Sequence, residues 1–131
     1  MKIYGKEFLV PRLTVFIAVS NVNYKYSGFK HIGNGFPDWF LPLLNNIQKY
    51  CNTSFNGCLI NLYRDGNDCM GWHADNEREL DEKACIASLS LGERRDFLLK
   101  HRNLKKKECL SLGNGDLLIM EPKCQKYWMH S

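Results

Sequence analysis

No stretch of this 131-residue chain is apolar for long enough to span a bilayer, so no transmembrane helix can be read from it. Nor does its start read as a secretory signal: "MKIYGKEFLVPRLTVFIAV" carries Glu7 and Pro11 where an apolar stretch would have to run. Internal repeats, low-complexity tracts and linkers are all missing, which excludes solenoids and gives no reason to divide the chain into two domains. The six cysteines form no CxxC pair and no zinc-ribbon spacing. They are expected to be reduced and mostly buried, not paired in a disulfide framework. Together these absences predict one intracellular domain without a membrane partner; a nucleus if the source is eukaryotic and otherwise the cytoplasm, and a monomer, are the expectations for its compartment and assembly.

What is present is ordinary in bulk. Apolar residues make up 44% and charged residues 24%, and a chain of this length can bury roughly two-thirds of its unfolded surface. The net charge of +4 permits an anionic partner without demanding one. Much of the excess sits in "KHRNLKKK", residues 100–107, which taken alone reads as a solvated hairpin tip. One helix is predicted over "PDWFLPLLNNIQKYC", with Asp38 as N-cap, Pro42 in the first turn and Phe40, Leu43, Leu44 and Ile47 at helical spacing. Beyond residue 55, short runs such as "GCLINLY", "ACIASLSLG", "RDFLLKH", "ECLSLG" and "GDLLIM" alternate with glycine, asparagine and charge clusters. That pattern predicts a mainly β fold, an antiparallel sandwich or barrel with one helical element packed outside.

The chemistry concentrates in "GWHADNE". On an extended segment, residues i and i+2 share a face, so His73 and Asp75 project together. A histidine and a carboxylate so placed, joined by a second histidine from elsewhere, form the 2-His-1-carboxylate triad of non-haem iron(II) oxygenases. The HxD pattern alone is weak: four histidines and seven aspartates yield about 0.2 occurrences by chance. A hydrogen-bonded loop histidine is the plain alternative. For the third ligand, His31 precedes the sheet region and His101 lies in the basic hairpin. His130, after the alternating stretch "CQKYWMH", is the natural candidate.

The stretches "FNGCLINLYRDGNDCMGWHADNEREL" and "IASLSLGERRDFLLKHR", with the NxYxDGxDxxGWHxDxE signature, resemble the AlkB family of iron(II)- and 2-oxoglutarate-dependent dioxygenases, in its nucleic-acid-repair branch. The resemblance runs from "IYGKEFLVPR" through "YKYSG" and "PDWFLPLL" to "YWMHS". It implies a double-stranded β-helix, or jelly roll, over residues 55–131, with a nucleotide-recognition lid and finger in residues 1–30. His73, Asp75 and His130 would hold Fe(II), while Asn61 and Tyr63 would bond the carboxylates of 2-oxoglutarate, with O2 as the second cosubstrate. The implied reaction is oxidative demethylation of 1-methyladenine or 3-methylcytosine in DNA or RNA, coupled to conversion of 2-oxoglutarate to succinate with release of formaldehyde.

On the same resemblance the flipped base would stack on Tyr26 within "YKYSG", with Tyr24, Ser27, Asn76 and Glu77 around its polar edge. Tyr4 would wedge into the duplex, and Lys100 and Arg102 in the basic hairpin would contact phosphates. Without the resemblance, Tyr24 and Tyr26 read as a half-buried strand pair and Tyr4 as a frayed terminus. Two departures from the family stand out. Asn76 replaces an acid usual at that position, which bears on the preferred base. No arginine follows Arg102, although the family pairs one after the distal histidine with 2-oxoglutarate. The chain therefore reads as truncated at its C-terminal side, and at its N-terminal side as well. A non-catalytic nucleic-acid-binding module is the alternative function, and a relative acting on protein or lipid a weaker third.

Overall fold

The computed structural model describes residues 2–3, 6–7, 9–26, 29–76, 80–81 and 83–131, with backbone alone at 2, 3, 6, 7, 26 and 29. Mostly β with few helices, it pairs its strands antiparallel throughout the described residues. Strands β1 (Lys2–Ile3) and β2 (Lys6–Glu7) form a short hairpin. Strand β3 (Leu13–Ala18) pairs with β6 (Gly57–Leu62), and β4 (Asn23–Tyr26) with β5 (Phe29–Ile32). Strand β7 (Ile86–Leu89) pairs with β10 (Leu117–Met120). Strand β8 (Arg95–His101) lies between β9 (Lys107–Leu112) and β11 (Trp128–His130). Each of the five runs predicted as strands after residue 55 contains one.

The region before residue 55 adds a strand that the sequence pattern did not announce. "LTVFIA" is rich in β-branched and aromatic residues, and its register sets Leu13 opposite Leu62 and Thr14 opposite Asn61. One face of this pair packs Phe16 against Tyr24, with ring centroids 5.3 Å apart. The other leaves Leu13, Val15 and Leu62 at 45%, 57% and 56% exposure.

The predicted helix is divided. Asp38–Phe40 form a single 3-10 turn, and α1 runs Leu41–Cys51. Asp38 is not the N-cap: that position falls to the extended Pro37, and no side chain caps the turn. Pro42 sits in the first turn of α1, where its missing N–H has no helical partner to lose. Phe40 and Leu44 are buried, and Asn52 closes the helix in the left-handed region at φ 50°. A second helix, α2 (Pro122–Tyr127), occupies most of the stretch that reads as alternating, so that only Trp128–His130 is strand.

Two expectations about burial are corrected. None of the six free cysteines is fully buried, and Cys69 and Cys109 are exposed. The accessible surface is 9816 Å², against about 7,100 Å² for a compact monomer of this mass, so just over half of the unfolded surface is removed from water and not two-thirds. The physical reason is a thin core, with Ala18, Tyr24, Phe40, Leu44 and Met120 as its buried apolar residues among those described.

Candidate metal centre

Three-residue strand β11 carries His130 into a backbone frame that is held on both sides. His130 N–H donates to the His73 carbonyl at 2.8 Å, and His73 N–H returns a bond to the His130 carbonyl at 3.0 Å. On the other side β11 pairs with β8, which sets His130 opposite Leu99. Reciprocal bonds of 2.8 and 2.9 Å between Leu98 and Ser131 continue that ladder. The bridge between two histidines distant in sequence brings their rings to 4.1 Å, centroid to centroid. The Phe97 ring stacks on His130 from β8, at 5.1 Å and 19°.

Asp75 completes the group. Its two carboxylate oxygens face one imidazole each, Oδ1 at 3.7 Å from His73 Nε2 and Oδ2 at 3.4 Å from His130 Nε2. The three potential ligand atoms all lie within 4.8 Å of one another. The side chains are 22% (His73), 18% (Asp75) and 7% (His130) exposed, a site shielded but not sealed. Two donors at about 2.1 Å from one ion and at right angles to each other stand about 3.0 Å apart, close to these separations.

The protonation pattern suits a cation. His73 Nδ1 lies 2.8 Å from the Gly71 carbonyl, which can only accept. Nδ1 therefore carries the proton, and Nε2 presents its lone pair toward Asp75. Burial holds the His73 imidazole below its ordinary pKa. His130 and Arg12 push the same way, against the Gly71 hydrogen bond and the Asp75 charge. Neutral imidazole is the form that binds metal. His130 Nδ1, by contrast, is buried without a hydrogen-bond partner among the described residues. The donor set thus fits a first-row divalent ion with nitrogen and carboxylate ligands.

Asn61 lies on β6 and Tyr63 immediately after it. Arg12 Nε donates to Asn61 Oδ1 at 3.0 Å, which fixes the amide with its NH2 group turned away from Arg12. The Arg95 guanidinium lies over the Tyr63 ring at 4.5 Å. Burial raises the Tyr63 pKa, with Arg12 and Arg95 pulling it down. Arg12, hydrogen-bonded to Asn61, acts electrostatically on both Tyr63 and His73.

The remaining candidates are spread more widely. Tyr24 is buried on β4 against Phe16, and Asn76 is exposed beside Asp75. Lys100 places its ammonium 4.6 Å over the Trp72 ring, and Arg102 Nη2 donates to the Gln125 carbonyl at 3.3 Å. Tyr4, Ser27 and Glu77, and the side chain of Tyr26, lie outside the described residues. The other histidines are engaged elsewhere. His31 packs on Phe16, and His101 Nδ1 accepts from the N–H groups of Asn103 and Leu104.

Three residues at the site were not singled out from sequence: Gly71, Arg12 and Gln125, whose Oε1 accepts the Asp75 N–H at 2.9 Å. Only the first has a local signal, since it precedes His73 by two positions. Arg12 and Gln125 reach their partners through tertiary register.

Residues 13–131 match the profile of the 2OG-Fe(II) oxygenase superfamily. The DNA oxidative demethylase ALKBH2 of Mus musculus is 33% identical over 143 residues, covering all of this chain and 58% of that protein. ALKBH2 of Arabidopsis thaliana is 32% identical over 159 residues, covering all of the chain and 50% of its own length. The alpha-ketoglutarate-dependent dioxygenase alkB homolog 3 of Bos taurus is 35% identical over 132 residues, covering 92% of the chain and 45% of that protein. The chain spans about half the length of the curated relatives it matches. With a His-Asp-His group placed to hold a metal, it belongs to the 2OG-Fe(II) oxygenase superfamily as an AlkB-type member, a family whose cofactor and cosubstrates are Fe(II), 2-oxoglutarate and O2.

Proposed function

We propose that this chain oxidatively removes methyl groups from N-alkylated bases, 1-methyladenine and 3-methylcytosine, in DNA or RNA, with 2-oxoglutarate converted to succinate and formaldehyde released. The observation that carries this reading is the convergence of His73, Asp75 and His130 around one carboxylate-imidazole cluster. Similarity along the whole chain to proteins named as DNA oxidative demethylases supports the substrate class. In this reading the antiparallel strands after residue 55 belong to a jelly roll, and the protein acts as a monomer in an intracellular compartment that holds nucleic acid, nucleus or cytoplasm.

When bound by His73 Nε2, His130 Nε2 and Asp75, Fe(II) supplies the activation of O2 that oxidises the methyl carbon. The chain supplies orientation and electrostatics. The Asn61 amide donors, aimed by Arg12, and the Tyr63 hydroxyl hold the carboxylates of 2-oxoglutarate. The Tyr63 hydroxyl is protonated at neutral pH and therefore a donor, and burial pushes it further that way. Both lesions are cationic, so the carboxylates of Asp75 and Glu77 and the ring of Tyr26 favour them over uncharged bases. Tyr24, Ser27 and Asn76 surround the base edge, Tyr4 fills the gap left in the stack, and Lys100 and Arg102 hold phosphates.

The test is mass spectrometry of an oligonucleotide with one 1-methyladenine, incubated with the chain, Fe(II), ascorbate and 2-oxoglutarate beside a His73→Ala control. Loss of 14 mass units, one methylene, from the parent reaction alone is expected. An unchanged oligonucleotide with folded, metal-loaded protein would overturn the demethylase reading. Retained salt-dependent binding of that oligonucleotide would then favour the non-catalytic binding module.

A further inference from the structure

Gln125 belongs to α2, the short helix that leads directly into β11 and His130. Its side chain does not face that strand. It crosses instead to the segment of Asp75, where Oε1 accepts the Asp75 backbone N–H at 2.9 Å. The other end of the same amide is also engaged, with Nε2 3.6 Å from Met120 Sδ. Sulfur is only an acceptor here, so the two contacts agree on one orientation of the amide. The Gln125 carbonyl in turn accepts from Arg102 Nη2. The half-buried side chain is thus held from β10 and from the loop it serves, while the basic hairpin holds the backbone of Gln125.

Asp75 needs such a restraint. Its neighbour His73 is tied into the sheet by the reciprocal bridge to His130, but residues 74–76 lie outside every strand. Without an acceptor, the half-shielded Asp75 N–H would be left to find a partner by moving the backbone. Any such movement displaces the carboxylate that must sit between two imidazoles.

We infer that Gln125 is a positioning residue for the metal site: its side-chain carbonyl holds the Asp75 backbone N–H and thereby sets the carboxylate against His73 and His130. The inference rests on the reading of those three residues as metal ligands. It adds a link that the ligand set does not contain, between the backbone of one ligand and the helix that delivers another.

The test measures Mn(II) affinity of the full chain by electron paramagnetic resonance and coordination geometry from the Co(II) absorption spectrum. Gln125→Leu removes the acceptor and Gln125→Met leaves only a weak thioether in its place, both keeping bulk, whereas Gln125→Glu keeps a carboxyl oxygen as acceptor. The Leu variant is expected to bind Mn(II) about 10- to 100-fold more weakly, the usual cost of losing an outer-shell partner, and the Met variant to follow it. They are also expected to change the Co(II) spectrum, while the metal-free melting temperature falls by no more than the few degrees that one lost hydrogen bond costs. Gln125→Glu is expected to restore affinity to within about threefold of the parent.

Parental affinity in both Leu and Met variants, with His73→Ala unable to bind, would overturn the inference alone. Equal Mn(II) binding by the parent and His73→Ala would overturn the ligand reading, and the inference with it. A fall in metal-free stability that accounts for the whole affinity loss, without rescue by Gln125→Glu, would assign Gln125 to folding and also overturn the inference.

Discussion

Two aspartates only seven positions apart meet opposite surroundings. Asp68 is saturated by its own loop: it accepts from Arg64 Nε at 2.7 Å, Arg64 Nη2 at 2.8 Å and the Arg64 backbone N–H at 2.9 Å. That loop is fastened further by Arg64 to the Val10 carbonyl, and by Arg95 to the Asp65 and Asp68 carbonyls. Asp75 has no guanidinium against it among the described contacts, and its oxygens face imidazole nitrogens at 3.4 and 3.7 Å. A carboxylate that the protein satisfies holds structure. A carboxylate left facing other ligand atoms has coordination to offer. The difference separates a loop staple from a metal ligand more clearly than residue type does.

The largest effect should come from exchanging the two. Asp75→Ala is expected to weaken Mn(II) binding by more than about 100-fold, beyond the cost of losing an outer partner, whereas Asp68→Asn should bind as the parent does. Isothermal titration with Mn(II) reads both, and equal losses in the two variants would erase the distinction. A smaller effect is expected at Asn61, an intermediate case whose carbonyl is satisfied and whose amide donors are aimed elsewhere. Arg12→Met removes the bond that orients this amide. The affinity for 2-oxoglutarate, read by tryptophan fluorescence, should fall about 3- to 10-fold, the scale of one lost hydrogen bond. An unchanged affinity would mean that Asn61 needs no help from Arg12.

The smallest effect concerns acid. The Arg64 side chain and backbone N–H bonds hold the Asp68 carboxyl down at about 2, from an ordinary 3.8. A depressed carboxyl stabilises the fold above its unfolded pKa, and that contribution fades as pH falls from about 3.8 toward 2. Urea midpoints of the parent should therefore drop across this window by more than those of Asp68→Asn. Parallel curves for the two proteins would show that the staple adds no pH-linked stability.

Much of this was legible in the sequence, and the limits have physical causes. The strands after residue 55 show themselves because each is short, apolar and bounded by turn residues. His73 and Asp75 are legible as neighbours on an extended segment, and His130 as the natural third ligand once His31 and His101 are placed elsewhere in the chain. Strand β3 was missed because its Leu13 and Val15 are exposed and its partner β6 lies beyond a helix. Helix α2 is too short for apolar periodicity, and its one local sign is Pro122 at the start. Arg12 and Gln125 cannot be found by spacing at all. Each reaches across 49 or 50 positions to its partner, and only the register of β3 on β6 or the turn from β10 into α2 makes the contact.

The reciprocal bond between His73 and His130 has a consequence for how the chain assembles. The two histidines close a long loop that contains β7 to β10 and α2, and loop closure costs chain entropy that grows slowly with length. An ion bound across them would act as a clasp on that loop, favouring chains in which β11 has already found its place. Metal loading and the docking of β11 would then be one event, detectable as joint slowing of amide hydrogen exchange at His73, His130 and Ser131.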